Sequence, residues 1–352
     1  MHMADALISP AVGGAMWVAT AGVAAYSIKK IKNDLDDRKI PLMGVMGAFI
    51  FAAQMINFTI PATGSSGHLG GGLLLSIILG PYAGFLTMAS ILTIQALFFA
   101  DGGLLALGCN VFNMGFFTCF VAYPLIYKLF INKNHTPARM FTAAMLAAVV
   151  GLQLGAFAVV LETLLSGITE LPFRTFVLLM QPIHLAIGVV EGLVTAAVAA
   201  FVWKARPEII EKASLGEALG RISVKKVMTG LVAAALFTGA VLSWFASSHP
   251  DGLEWSMFKT AGVEELETSG DIYQTMEGVQ EKTAFLPDYG FKAAEGEVDP
   301  GAPEEAGEEA WPAPSAGTTV SGIVGGLMTL ALAVIIGSAI SIIKRRGKAS
   351  AV

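Results

Sequence analysis

Nine stretches of this chain are apolar enough to sit in lipid, and that leaves few folds open. A helix needs about 20 apolar residues to cross a hydrocarbon layer of ~30 Å. The runs fall at roughly 11–28, 41–59, 69–81, 83–99, 104–127, 140–165, 176–203, 227–246 and 319–343. Between them they hold most of a chain of 352 residues, 55% hydrophobic and only 14% charged. Lipid forces every backbone polar group to bond internally, so continuous apolar runs of this kind specify helices. The expected class is an all-α polytopic membrane protein. The third and fourth runs meet at Gly80-Pro81, which marks either a turn between two spans or a kink within one.

Loop charges test the span count. With nine spans, Lys29, Lys30, Lys32, Arg38 and Lys39 follow the first, and Lys128, Lys133 and Arg139 the fifth. Lys204, Arg206, Lys212, Arg221, Lys225 and Lys226 follow the seventh, and Lys344, Arg345, Arg346 and Lys348 the ninth. Eighteen of the 22 basic residues then lie on one side. Cationic loops stay cytoplasmic, so the N-terminus is expected outside and the C-terminus inside. Eight spans would scatter the same residues over both sides.

The chain divides by composition. Residues 1–205 form a seven-span core, and 206–226 a basic cytoplasmic linker. Residues 227–352 form a two-span C-terminal unit around an external loop, about 247–318, with sixteen Asp and Glu against three Lys. The stretch from Glu295 to Glu309 has the low hydropathy and high charge of a disordered segment. The sixteen carboxylates of the external loop could concentrate divalent cations, but a solvated, disordered linker is the better account of them. Cys109 and Cys119 sit ten residues apart in one apolar run, a spacing that supports neither a disulfide framework nor a CxxC site.

Chemistry concentrates at Met1-His2 and at Gly64-Ser65-Ser66-Gly67-His68-Leu69-Gly70-Gly71-Gly72. The α-amine of Met1, the amide nitrogen of His2 and its imidazole can close two fused chelate rings in one plane. An imidazole from His68 would complete four nitrogens, a tetragonal set that favours Ni(II) or Cu(II) over zinc or magnesium. The chelate needs Met1 as the mature end. Residues 1–9 lack the basic region of a cleavable leader, and a bulky His2 opposes removal of Met1. Nine spans place both points on the same external face.

Other polar groups lie in the apolar runs. His184 and Glu191 stand seven residues apart on one helical face, as suspects for function or as hydrogen-bonding glue. Glu162, Asn57, Gln54, Gln95, Asn110, Asn113 and Gln153 need partners when buried. Some would join helices, and one or two would orient the imidazoles. His135 and His249 read as solvated. No GxxxxGK[ST] pattern occurs, so the chain should bind no nucleotide, and nothing points to nucleic acid.

These motifs resemble the substrate-binding membrane subunit of energy-coupling factor transporters for nickel and cobalt, the NikM/CbiM family. The resemblance rests on Met1-His2, on Thr63 to Leu69, on Asp101-Gly102-Gly103-Leu104, on Ala106 to Asn110 with Asn113-Met114-Gly115, and on His184 with Glu191-Gly192. Pro250-Asp251-Gly252-Leu253-Glu254 and Pro287-Asp288-Tyr289-Gly290 resemble the NikN-type accessory subunit, fused here, which favours nickel over cobalt. Where members often continue with Ile or a Glu-rich segment after Met-His, this chain has Met3-Ala4-Asp5. The resemblance implies metal ligands at Met1, His2 and His68, and Ni(II) uptake with Co(II) as the alternative cargo. It also implies a membrane coupling (T) subunit with ABC-type ATPases as partners, a cytoplasmic membrane location, and no enzymatic activity. Two other classes compete: an ion-coupled secondary carrier using His184, Glu191 and Glu162 as a proton relay, and an assembly or sensing protein whose acidic loop binds a partner. The inverted repeats of secondary carriers are not evident.

Overall fold

Helices occupy every one of the nine apolar runs. The computed structural model describes residues 2–31, 35–131, 136–169, 171–262, 266, 270–292 and 311–349. Helices α1 (Pro10–Ile31) and α2 (Lys39–Gln54) are followed by a small hairpin of β1 (Phe58–Ile60) and β2 (Ser65–Gly67), antiparallel with Thr59 opposite Ser66. Then come α3 (Gly72–Leu79), α4 (Pro81–Phe99), α5 (Leu107–Ile131), α6 (Pro137–Ser166), α7 (Phe173–Ala205) and the short α8 (Pro207–Leu215). The C-terminal part holds α9 (Lys225–Ala240), α10 (Gly252–Ala261), α11 (Asp271–Thr283) and α12 (Ala316–Ala349). Among the described residues six helices, α1, α4, α5, α6, α7 and α12, are long and apolar enough to cross a membrane. The chain is a mostly helical, multi-pass membrane protein.

Gly80-Pro81 is a turn between two helices. Gly80 takes φ 83°, a left-handed value open to glycine, and Pro81 starts α4 at the position where its missing N–H costs nothing.

The third run departs from the expected span. Helix α3 has eight residues, about 12 Å at 1.5 Å per residue, too short for a bilayer. Residues 65–71, non-helical and all buried but the half-buried Leu69, precede it and add at most about 23 Å at ~3.3 Å per residue. The run is therefore half extended chain and half helix, ending where Gly80 approaches the Ala213 carbonyl of α8. Non-helical backbone at membrane depth must be satisfied by protein. Here Glu191 of α7, 1% exposed, accepts from the amides of Gly70 (2.6 Å) and Gly71 (3.0 Å), and Gln54 donates to the Gly70 carbonyl (2.8 Å). The glycines are steric necessities. Gly71 has φ 81°, and a Cβ on Gly72 would lie 2.5 Å from the Met114 carbonyl.

Several intramembrane polar residues are joints between helices. Gln153 of α6 and Gln181 of α7 each donate to the other's carbonyl, at 2.8 and 3.3 Å, beside Pro182 within α7. Asn113 donates to Glu162 (2.7 Å) and links α5 to α6. Cys109 and Cys119 are buried free thiols. The C-terminal helices lie against α2, with Gly239 of α9 meeting Gly322 of α12 at close backbone range, the small-residue packing that lets membrane helices approach.

Candidate metal centre

Two threads of chain converge between α4, α5 and α7. The first is the N-terminal segment. Met3, Leu7 and Ile8 are fully buried, and Asn110 clasps Met3 by accepting from its N–H (2.8 Å) and donating to its carbonyl (3.1 Å). The Gly103 amide also donates to the Met3 carbonyl (2.9 Å), and Asp5 accepts from the Ala106 amide (2.9 Å). The second thread is the extended run 65–71 held by Glu191 and Gln54. Their meeting point is a pair of imidazoles, His2 and His68, stacked at 4.8 Å between centroids with 25° between planes. Both side chains are under a tenth exposed. Burial holds the His2 imidazole well below its usual range, at about 3.

Each ring nitrogen has an identifiable neighbour. His68 Nδ1 donates to the Leu69 carbonyl (3.1 Å), so its Nε2 carries the lone pair, with Asp251 Oδ2 3.8 Å away. Nε2 of His2 lies 3.2 Å from Gln95 Oε1, and its Nδ1 lies 3.3 Å from Asp101 Oδ1. Gln95 in turn donates to Gln54 Oε1 (3.0 Å) and to the Tyr289 hydroxyl (3.2 Å), which donates to Asp101 Oδ2.

The C-terminal part of the chain thus closes the site from two directions. Asp251 caps α10, accepting from Leu253 (2.7 Å) and Glu254 (2.9 Å), while Glu254 returns the bond to the Asp251 amide (2.8 Å). This reciprocal capping box turns the other carboxylate oxygen of Asp251 toward His68. Pro250 and His249 accept through their carbonyls from Ser66, and Trp255 donates to the Thr63 carbonyl (3.0 Å). From the other direction, the turn at Pro287–Tyr289 inserts Tyr289 between Phe99 (5.1 Å, stacked) and Phe51 (6.1 Å). Over its described residues 249–262 and 270–290, the loop expected to be solvated packs against the two histidine-bearing threads.

The sequence-derived residues are placed unevenly. His2 and His68 come together; Met1 lies outside the described residues, as do His135 and the acidic stretch from Glu295 to Glu309. Among the described residues no three His, Cys, Asp or Glu side chains form a metal cage. His184 donates to the Met180 carbonyl (2.8 Å), and its Nε2 has no hydrogen-bond partner. It lines a cavity of about 10 Å³ with His68, Asp251 and Gly252. His184, Glu191 and Glu162 bond to separate partners rather than to one another. Sequence reasoning missed Tyr289, although its Pro-Asp-Tyr-Gly motif was visible, and left Asp101 without a role.

A buried pair of imidazoles flanked by carboxylates, in a multi-pass helical protein, is a candidate site for a divalent cation. The comparisons make the class particular. The family model described as "Cobalt uptake substrate-specific transmembrane region" matches residues 2–209, and a PDGLE domain model matches 225–342. The chain belongs to this CbiM family and carries a PDGLE domain behind it. It is 32% identical over 332 residues to a putative fused nickel transport protein NikMN of Archaeoglobus fulgidus, covering 94% of this chain and 96% of that one. To the cobalt transport protein CbiM of Sorangium cellulosum it is 30% identical, over 60% of this chain and 95% of the relative. A crystal structure titled as a transition metal transporter superposes with a TM-score of 0.52 at 29% identity, covering 61% of this chain and 99% of that one. These relatives are metal-transport proteins, not enzymes.

Proposed function

We propose that this chain captures Ni(II) for uptake in a planar four-nitrogen site, with Co(II) as the alternative cargo. The donors are the Met1 amine, the amide nitrogen and Nδ1 of His2, and Nε2 of His68. One observation carries the reading: the two imidazoles stack at 4.8 Å with Gln95 beside His2 Nε2 and the Leu69 carbonyl beside His68 Nδ1, so that His2 Nδ1 and His68 Nε2 are the nitrogens turned toward the carboxylates of Asp101 and Asp251. Nδ1 is the nitrogen of His2 that closes a six-membered ring with its own amide. Asp101 and Asp251 beside the rings offset the charge of a divalent ion. Nickel is favoured because the relative that matches nearly the whole chain, PDGLE part included, is named for nickel.

In this reading residues 1–205 are the metal-binding core, 206–226 a cytoplasmic linker and 227–352 a fused accessory unit. The site opens to the outside of the cytoplasmic membrane. A separate membrane coupling subunit and ABC-type ATPases supply the motion that releases the ion inward, as the sequence has no phosphate-binding loop of its own. The test is insertion of one alanine between Met1 and His2. It breaks the fused rings and is expected to abolish tight Ni(II) binding; unchanged affinity would overturn the N-terminal chelate. Uptake should also stop when the partner ATPase is inactivated, whereas an ion-coupled carrier would continue while its gradient stands.

A further inference from the structure

Two helices carry the same pattern at one end of the molecule. Arg38, the residue before α2, leads Pro41, Val45 and Ala48, and on α9 Lys225 leads Thr229, Val232 and Leu236. Steps of three and four put each set on one helical face. Arg38 and Pro41 line a groove of about 600 Å³ together with Lys225, Thr229, Val232 and Leu236. A smaller one of about 70 Å³ continues it past Val45 and Ala48 to Gly326 and Leu330 of α12. Helix α9 is gripped at two other points: a Cβ on Gly230 would lie 2.5 Å from the Phe201 ring of α7, and Gly239 meets Gly322 of α12. Held there, α9 leaves a wedge between its Lys225 face and α2. The acids beside the mouth are already engaged. Asp36 accepts from the amides of Arg38 (3.0 Å), Lys39 (2.9 Å) and Gly220 (2.6 Å), and Arg345 donates to Asp37 (2.8 Å). Among the described residues the exposed side chains of Arg38 and Lys225 have no hydrogen-bond or ion-pair partner. The groove therefore has a cationic mouth and apolar walls.

We propose that this groove holds one phospholipid with an anionic headgroup, its phosphate between Arg38 and Lys225 and a hydrocarbon tail along Val232 and Leu236. Every outward apolar face of a membrane protein touches lipid. Concavity and charge single this one out, because basic pockets between membrane helices bind anionic headgroups. The length also fits. From Lys225 to Leu236, α9 rises about 17 Å at 1.5 Å per residue, close to half of the ~30 Å hydrocarbon layer. The groove is thus one leaflet deep, with its basic end on the side that the loop charges assign to the cytoplasm. Its walls come from two units: α2 lies in the part matched by the transmembrane-region model, and α9 and α12 lie in the PDGLE part. The lipid completes the joint between them. This inference stands apart from the metal site and holds whichever ion the histidines take.

The test titrates the purified full chain in detergent with phosphatidylglycerol or with phosphatidylcholine of the same tails, and reads bound lipid by native mass spectrometry. The parent is expected to prefer phosphatidylglycerol by about thirtyfold, which is about 1 kcal/mol for each basic residue. Arg38→Gln and Lys225→Gln should each cut that preference about fivefold, and the double variant should remove it. Lys226 is exposed but does not line the groove, so Lys226→Gln should leave the preference as it is. An equal loss in Lys226→Gln would mean diffuse attraction and overturn the site, as would a parent that binds both lipids equally. A second arm needs no charge variant: a diazirine analogue of leucine placed at Leu236 and activated in membranes. A lipid adduct there is the expected result. An adduct to a second protein would assign the groove to a partner helix and overturn the proposal.

Discussion

Replacing Glu191 by glutamine tests the idea that the extended half of the third pass is held up by one carboxylate. Both oxygens of Glu191 accept, from the amides of Gly70 at 2.6 Å and Gly71 at 3.0 Å. Glutamine offers one oxygen, and its NH2 would face the second amide, donor against donor. Loss of one charge-assisted bond costs roughly 1.5–3 kcal/mol, and a stranded buried N–H about 1–3 kcal/mol more. Relief of carboxylate desolvation offsets part of this. The net destabilisation should be about 2–4 kcal/mol. Because Gly70 and Gly71 lie two and three residues after His68, Ni(II) affinity should fall along with stability. Thermal unfolding in detergent, with and without Ni(II), and competition against a coloured chelator read the two effects. A Glu191→Gln protein that melts with the parent and binds Ni(II) as tightly would refute the reasoning, since the extended backbone would then have other support.

Other perturbations probe separate links. Gly72→Ala forces a Cβ to 2.5 Å from the Met114 carbonyl and should destabilise by about 1–3 kcal/mol, as overpacking does, with no rescue from trimming Thr118 to alanine; a neutral melting temperature would contradict this packing. Asp251→Asn should keep the cap on α10 yet speed Ni(II) loss, whereas Asp251→Ala should also cost about 1 kcal/mol of stability, the usual value of an N-cap; dissociation rates equal to the parent in both would remove Asp251 from the site. Burial holds the His2 imidazole well below its usual range, so the pH dependence of binding falls chiefly on the amine and the amide. An α-amine ordinarily titrates near ~7.7, and ligand protons leave as the metal binds. Below that value affinity should drop about a hundredfold per pH unit, two protons per ion, which isothermal titration in buffers of different ionisation enthalpy would measure; pH-independent affinity between 6 and 7.5 would exclude amide coordination.

Local residue pattern made some of this structure readable and long-range contact hid the rest. Apolar runs and their flanking charges locate the helices, because lipid leaves the backbone no other solution. Gly80-Pro81 could be read as a break, but not as a junction between a half-extended pass and a full helix. That depends on Glu191, 120 residues away in sequence from Gly71. Gln54 and Gln95 were recognisable as polar groups in need of partners, while the direction of their bonding is set by a carbonyl at Gly70. Tyr289 could not be drawn to the site at all. Its motif lies inside the acidic loop, 188 residues from Asp101, and folding of α10 and α11 over the histidines follows from tertiary contacts that no periodicity encodes.

The most direct test of the central claim is the metal content and visible spectrum of the purified full chain, titrated with Ni(II) alongside His2→Ala and His68→Ala variants. The account predicts one Ni(II) per chain and the yellow absorption of a square-planar nitrogen site, lost in both variants. A parent protein that stays colourless and refuses added Ni(II) would contradict it.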